Sequence, residues 1–530
     1  MVSTQGFFRG TDPTSSTISF ITIFLFVISG VLITDTIASW FGDMSSWILS
    51  YFKWYYIGLV AFILFFCFWL ITSPYGQIKL GDDNEKPEYS YFAWFAMLFS
   101  AGMGIGLVFW SIAEPIHHFQ GNPFISEPLT SEAAEVAMRL TYFHWGLHPW
   151  AIYVVVGLSL AFFSYRKKLP LSIRSALHPL IGDRLYGPWG HLVDVLSVFA
   201  TVFGVATSMG LGISQMNAGL HHIFGIEIST TNQIILITLV TAIATLSTVT
   251  GVGKGIKWLS SINLWLTFII MGFLLLYGPT RYLLNSFLQN TGDYLANVIP
   301  LSLWTDAESQ TSGWQNSWTA FYWGWWIAWA PFVGMFIARI SRGRSVREFV
   351  IGVLLVPTLL GFIWLTLFGS TALWLELFHQ VKNEAGEMVA AVGQAGIIDA
   401  VKVDVTSALY TTLEKLDNGP VGWAATFIAT LLIATYFITS ADSGTLVVAT
   451  ILSHGNPHPA TIHRVIWGVS EGAVAAVLLL AGGLKALQTA SINVALPFSV
   501  VIIVMMWGLV RGFKLEQQQM LTPTLQVESS

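Results

Sequence analysis

Apolar residues along this chain gather into runs of roughly twenty, the length a helix needs to cross the hydrocarbon core of a bilayer. Twelve such runs can be read: 18–38, 54–72, 91–115, 141–163, 193–215, 232–249, 261–278, 318–338, 347–371, 422–440, 464–482 and 489–510. None shows the short apolar–polar alternation of a barrel strand. The pattern therefore predicts an all-α membrane protein with about 12 transmembrane helices. Two connections are long, 279–317 and 372–421. Within the first, Tyr282, Leu283, Phe287, Leu288, Tyr294 and Leu295 recur at helical spacing over Arg281–Pro300, which predicts an amphipathic surface helix. The second has its own apolar periodicity, and neither reads as an independent domain. The residues after Lys514 are polar and are expected to be disordered.

Composition sharpens this picture. Hydrophobic residues make up 54% of the 530 and charged residues 10%, against about 25% charged in ordinary soluble domains. The deficit runs the whole length, which excludes a soluble domain with a single anchor. A net charge of −5 points to no nucleic-acid or other polyanionic partner. The single cysteine, Cys67, excludes an internal disulfide and a cysteine metal site. Met1 to Ser16 has no basic n-region and no small-residue cleavage site, so no removable signal is expected.

Basic residues set the expected orientation. Arg166, Lys167, Lys168, Arg174 and Arg184 follow the fourth run; Lys254 and Lys257 follow the sixth; Arg339, Arg342, Arg344 and Arg347 follow the eighth. All three groups fall on one side, which the positive-inside rule makes cytoplasmic. Both termini then lie in the cytoplasm, and a bacterial inner (plasma) membrane is the expected location.

Three stretches carry candidate chemistry. In Ser100-Ala101-Gly102-Met103-Gly104-Ile105-Gly106, alternating glycines let a helix or ligand approach the backbone and let amides turn toward it; a packing seam of small residues is the bland alternative. In Trp323-Gly324-Trp325-Trp326-Ile327-Ala328-Trp329, four tryptophans in seven residues exceed what interfacial anchoring needs. They suit cation–π binding of an onium group, at about 0.5–2 kcal/mol per ring. Trp145, Trp150 and Tyr153 add a further aromatic set, equally readable as a membrane belt. Thr439 and Ser440, in Tyr436-Phe437-Ile438-Thr439-Ser440-Ala441-Asp442-Ser443, offer hard oxygen ligands to a small cation, helped by the carbonyls of a broken helix, or simply bond back to their own helix. Of the acidic residues in spans, Glu114, Asp194 and Asp442 read as structural contacts near an interface, and Glu471 completes the set. His144 and His148, spaced i, i+4, have no acidic third ligand between them and read as a satisfied pair rather than a metal site. Gly251 to Gly255 lacks phosphate-loop spacing and reads as a turn.

Together these motifs resemble the betaine/carnitine/choline transporter family. The string Phe95 to Gly106, followed by Phe109-Trp110 and Ala113-Glu114-Pro115, is similar to that family's third span. Trp318 to Trp326, continuing through Arg339 to Arg344, resembles its eighth-span signature, and Thr439 to Ser443 its tenth-span motif. The resemblance covers about 18 to 511. It implies a leucine-transporter-type fold of two inverted five-helix repeats, over 90–278 and 318–511. Before them stand a cytoplasmic segment (1–17) and two extra helices (18–72). Between them lies an external connector (279–317), and a short cytoplasmic tail (512–530) follows. It implies an aromatic box of Trp145, Trp150, Tyr153 and Trp326, with Trp325 and Trp329 lining the path, and Gly102, Met103, Gly104 and Gly106 facing the substrate carboxylate. It implies sodium held by carbonyls near Ser100, Met103 and Tyr436 and by the hydroxyls of Thr439 and Ser440. Thr201, Thr207 and Ser208 are the hydroxyls open to a second sodium site. A homotrimer is implied, with no cofactor beyond sodium as coupling ion.

Choline-preferring members similar to this chain often carry aspartate at the position of Gly106, so glycine there favours a zwitterion such as glycine betaine. Dimethylsulfoniopropionate, carnitine and choline remain open as substrates, because a pocket separates a methylene by only about 1–3 kcal/mol. The glycine pattern and hydroxyl pair favour sodium symport, leaving sodium-independent exchange and proton coupling as rivals. A membrane enzyme would need a nucleophile–base pair or metal cluster that the sequence does not display. A channel would need a polar pore stripe, which is also missing.

Overall fold

The computed structural model describes residues 3–102, 104–249, 253–308, 313–383 and 386–528. Nearly all of it is helix. Helix α1 (Pro13–Leu32) starts where Asp12 accepts the Ser15 amide at 3.0 Å and proline fills the first turn. Helix α2 (Thr34–Thr72) runs 39 residues, about twice what the hydrocarbon core requires. The first predicted run, 18–38, therefore crosses a break at Ile33, and 39–53 is helix rather than loop. Asp43, Ser45, Ser46 and Lys53 end the apolar run without ending the helix, because no proline interrupts it.

The third predicted run falls on α3 (Tyr91–Gly102) and α4 (Ile105–Gln120). The fourth run is likewise two helices, α5 (Ser131–Trp145) and α6 (Leu147–Ala161), parted at Gly146. A Cβ at Gly146 would lie 2.6 Å from the Tyr142 carbonyl oxygen and 2.9 Å from the Tyr294 hydroxyl, so only glycine fits the break. After the short α7 (His178–Ile181) come α8 (Pro188–Phe224), α9 (Thr230–Val249) and α10 (Gly253–Tyr277). Gly251 and Val252, in the predicted turn, lie outside the described residues. Helix α11 (Thr280–Leu303) bends by 109° from the apolar part of α10, at the predicted amphipathic segment.

A π-helical turn, Asn316–Ala320, leads into α12 (Phe321–Arg339). Helix α13 (Val346–Leu365) opens on a capping box between Ser345 and Glu348. The second long connection holds α14 (Thr371–Leu377), a hairpin of β1 (Gln380–Lys382) and β2 (Met388–Ala390), α15 (Ile397–Val403) and α16 (Ala408–Leu416). Glu376, fully buried, fastens it by accepting the amides of Ala395, Ile397 and Ile398 at 2.7–3.0 Å. Helices α17 (Pro420–Leu452), α18 (Thr461–Gly482) and α19 (Leu484–Glu528) complete the chain. Residues 515–528 are helical rather than disordered, because Leu515, Glu516, Gln517 and Gln518 are strong helix formers.

Among the described residues, ten helices are long and apolar enough to span a membrane, or eleven if the bent α10–α11 pair is one span. Exposed apolar side chains such as Phe24, Leu25, Leu239, Leu246 and Leu276 clothe them, as a lipid-facing surface requires. Inside, α17 packs along α8, and α12 along α6. One end of the bundle collects basic side chains. Arg166 donates to the Gly81 carbonyl at 2.9 Å, and Gly343 donates its amide to the Leu80 carbonyl at 2.8 Å, so the strap 73–90 joins two of the basic loops. Asp12 lies at the same buried junction as the Arg174–Asp194 ion pair and accepts from His454 at 2.9 Å.

Candidate functional site

Helix α12 carries its tryptophans into the centre of the bundle. Trp325 and Trp326 stack at 4.8 Å with an interplanar angle of 12°. Trp145, the last residue of α5, stands edge-on to Trp326 at 4.9 Å and to Trp325 at 6.2 Å. Trp329 meets Trp325 edge-on at 6.3 Å. Tyr322 stacks on Trp326 at 5.7 Å and closes the group. All five are buried.

Polar edges fix these rings. Trp145 Nε1 donates to Glu114 Oε2 at 2.8 Å, Trp326 Nε1 to the His144 carbonyl at 3.0 Å, and Trp329 Nε1 to the Gly204 carbonyl at 2.8 Å. Tyr322 donates its hydroxyl to the same Glu114 oxygen at 2.5 Å. The glycine run meets the tryptophans directly. A Cβ on Gly106 would sit 2.3 Å from Trp325 Cη2, and one on Gly104 would sit 3.6 Å from the Trp329 ring. Two motifs read separately along the chain are thus one packed contact.

Trp150 and Tyr153 are buried on α6 and pair edge-on at 5.4 Å. Among the described residues, no ring contact joins that pair to Trp145 or Trp326. Met103 lies outside the described residues, as do the side chain of Ser100 and the surroundings of Gly102.

On α17, Tyr436 shares a hydrogen bond with Thr267 at 2.7 Å. Thr439 donates back to the Thr435 and Tyr436 carbonyls at 3.1 Å and accepts from Asn263 Nδ2 at 3.2 Å. Ser440 follows it on an unbroken helix, which runs on to Leu452. The helix therefore outruns the predicted span, 422–440, and Thr439 and Ser440 lie within it rather than at its end. The donor set of Thr439, Ser440 and nearby carbonyls fits a hard cation. Thr201, Thr207 and Ser208 also bond back to α8, and Thr207 reaches the Leu487 carbonyl at 3.1 Å and Ser491 at 2.8 Å on α19.

The acidic residues expected as structural contacts can be followed one by one. Glu114 is fully buried and makes structural contacts with Trp145, Tyr322 and, at 2.6 Å, His144 Nδ1. Asp194 is the structural contact expected, paired with buried Arg174. Glu471 is buried and accepts from Thr445 at 3.2 Å. His144 and His148 part company at the Gly146 break, and His148 hydrogen-bonds Ser302 at 2.7 Å. Glu114 and His118, one helical turn apart on α4, converge instead on His144, with their ligand atoms all within 4.8 Å. The signal lay in the spacing Glu114-Pro115-Ile116-His117-His118, which places a carboxylate and an imidazole on one helix face.

Broken helices in a membrane bundle are a feature of secondary transporters. The profile of the betaine/carnitine/choline family of transporters matches residues 15–518, and the chain belongs to that family. It is 44% identical to the glycine betaine transporter OpuD of Bacillus subtilis over 93% of both chains. It is 44% identical to glycine betaine transporter 1 of Vibrio parahaemolyticus, over 94% of this chain and 92% of the relative. A glycine betaine/proline/choline transporter of the same Vibrio is 39% identical, over 93% and 89%.

Proposed function

We propose that this chain takes up a small onium zwitterion, glycine betaine first, by symport with sodium. The carrying observation is the buried cluster of Trp145, Trp325 and Trp326, whose indole planes stand both parallel and edge-on at 4.8–6.2 Å. An aromatic cluster of this kind suits a trimethylammonium or dimethylsulfonium group, which has no N–H to donate and is attracted by ring quadrupoles. The names of the relatives favour glycine betaine. Trp329 lines the path beside the box, and Trp150 and Tyr153 of α6 belong to it. The substrate carboxylate meets amides of the Gly102-Met103-Gly104-Gly106 segment.

Sodium binds between α3 and α17, on carbonyls near Ser100, Met103 and Tyr436 and on the hydroxyls of Thr439 and Ser440. Thr439 already accepts from Asn263, so an arriving ion takes over a lone pair that an amide now uses. Both ligands favour the occluded state, and two inverted five-helix repeats then rock between inward and outward access. The chain works as a homotrimer in the bacterial inner membrane with both termini cytoplasmic. Sodium-independent exchange or proton-coupled choline transport is the alternative.

Uptake of labelled glycine betaine into proteoliposomes, with and without an inward sodium gradient, tests this for the native protein and Trp326→Leu. Accumulation that needs the gradient and that Trp326→Leu abolishes is expected. Uptake indifferent to sodium would overturn the coupling, and full uptake by Trp326→Leu would overturn the box.

A further inference from the structure

We propose that Glu114, His118 and His144 form a binding site for a divalent transition-metal ion of the zinc class, beside the aromatic cluster. Glu114 Oε1 lies 2.6 Å from His144 Nδ1 and 3.4 Å from His118 Nε2. Zinc bonds of about 2.0–2.2 Å in a tetrahedron put neighbouring ligand atoms roughly 3.3 Å apart, so small side-chain shifts complete the site. Two imidazoles and one carboxylate are a zinc ligand set that leaves a fourth position open.

Three further observations favour a ligand here. His118 is fully buried, and its Nε2 has only a long 3.4 Å ion-pair contact with Glu114 Oε1. Such an atom is costly unless something binds it. The outward face of each remaining ligand is already held: Trp145 and Tyr322 donate to Glu114 Oε2, and Thr319 Oγ1 lies 3.0 Å from His144 Nε2. Partners of this kind orient ligands toward a metal. The proton balance closes at His144 and costs one long contact at His118. A metal on His144 Nδ1 leaves the ring proton on Nε2, where Thr319 accepts it. A metal on His118 Nε2 leaves the proton on Nδ1, which gives up the long 3.4 Å hydrogen bond that Nδ1 otherwise accepts from Trp314 Nε1.

The site has a consequence for the rings. Glu114 is the carboxylate that holds Trp145 and Tyr322, so a dication there turns the local charge from negative to positive next to the onium cluster. Zinc is therefore expected to depress uptake of an onium substrate.

Binding is tested without reference to transport. Purified native protein titrated with cobalt(II) should give the visible absorption of a four-coordinate site at one equivalent. His118→Ala, which keeps Glu114, His144 and all the rings, should lose it. In proteoliposomes, zinc should lower glycine betaine uptake by about fivefold or more, the lower range of coupling between two sites, reversibly with chelator. His118→Ala should transport normally in metal-free buffer and ignore zinc. His118→Gln serves as the second variant should the alanine form fold poorly. A native protein without the cobalt band, or a band that persists in both variants, overturns the site. Failure of glycine betaine uptake would fall on the transport proposal and leave the cobalt result standing.

Discussion

At Trp145, Trp326 and Trp329 the polar edges are tied to groups elsewhere in the fold, Glu114, the His144 carbonyl and the Gly204 carbonyl. At Thr439 and Thr435 the hydroxyls bond back to carbonyls of their own helix at 3.0–3.1 Å. The aromatic half is thus cross-linked between helices α4, α5, α8 and α12. The hydroxyl half is held mostly by α17 alone, with Asn263 of α10 as an outside partner of Thr439. A ring platform built this way is organised before any ligand arrives, which lowers the ordering cost of binding. A hydroxyl pair on an unbroken helix must find its remaining ligands on another element, so whatever binds there gains by drawing α17 toward that element. On the proposed transport reading, affinity falls to the first half and conformational work to the second.

The sharpest way to break the contrast is Gly106→Ala. Its Cβ would lie 2.3 Å from Trp325 Cη2, and the ring cannot yield because Trp326 and Phe321 stack on either side of it. Overpacking of this kind costs about 1–3 kcal/mol. Glycine betaine uptake at subsaturating substrate should fall about tenfold or more, with the sodium requirement unchanged. A variant that kept native substrate KM would show that the ring platform is not rigid. Thr439→Ala asks the complementary question with a smaller effect. Loss of one oxygen ligand should raise the sodium concentration for half-maximal uptake several-fold, up to about tenfold for 1.4 kcal/mol. Substrate KM at saturating sodium should stay near native. A shift in substrate KM alone would remove the division of labour.

Much of this was legible in residue order because membrane helices write themselves in apolar runs and because tryptophan is costly to place without purpose. The Trp325–Trp326 stack and its glycine neighbour follow from two such motifs. Other features were hidden for identifiable reasons. Helix α2 outlasts its apolar run because Asp43, Ser45 and Lys53 change the solvent, not the backbone. The π-helical turn at Asn316–Ala320 and the break at Gly146 depend on packing that hydropathy does not encode. Glu114 could be read as a structural contact, but not with which partners, because Trp145, Tyr322 and His144 arrive from other helices to satisfy it. The sequence displayed the His144–His148 spacing, whereas the fold chose His144 with Glu114 and His118, since Gly146 turns the two histidines apart.

The smallest effect concerns the far end of α17, the helix that carries Thr439. Just beyond it, His454 hydrogen-bonds Asp12, the residue that caps α1. Burial works to raise the Asp12 carboxyl. The His454 hydrogen bond, the Ser15 amide, His191 and Arg174 outweigh it and hold the group well below the usual carboxylate range. A carboxyl lowered on folding stabilises the native state at pH above its unfolded value of about 3.9 and loses that contribution as pH falls toward its folded value. Native protein in detergent should therefore lose thermal stability as pH drops below about 4. Asp12→Asn should be less stable than native at neutral pH, with the difference shrinking across that acidic window. Its substrate KM should stay native, because the box is cross-linked without α17. A modest rise in the sodium requirement of Asp12→Asn would place the anchoring of α17 among the determinants of ion binding. An unchanged requirement would confine those determinants to the Tyr436–Ser440 turn and its partners.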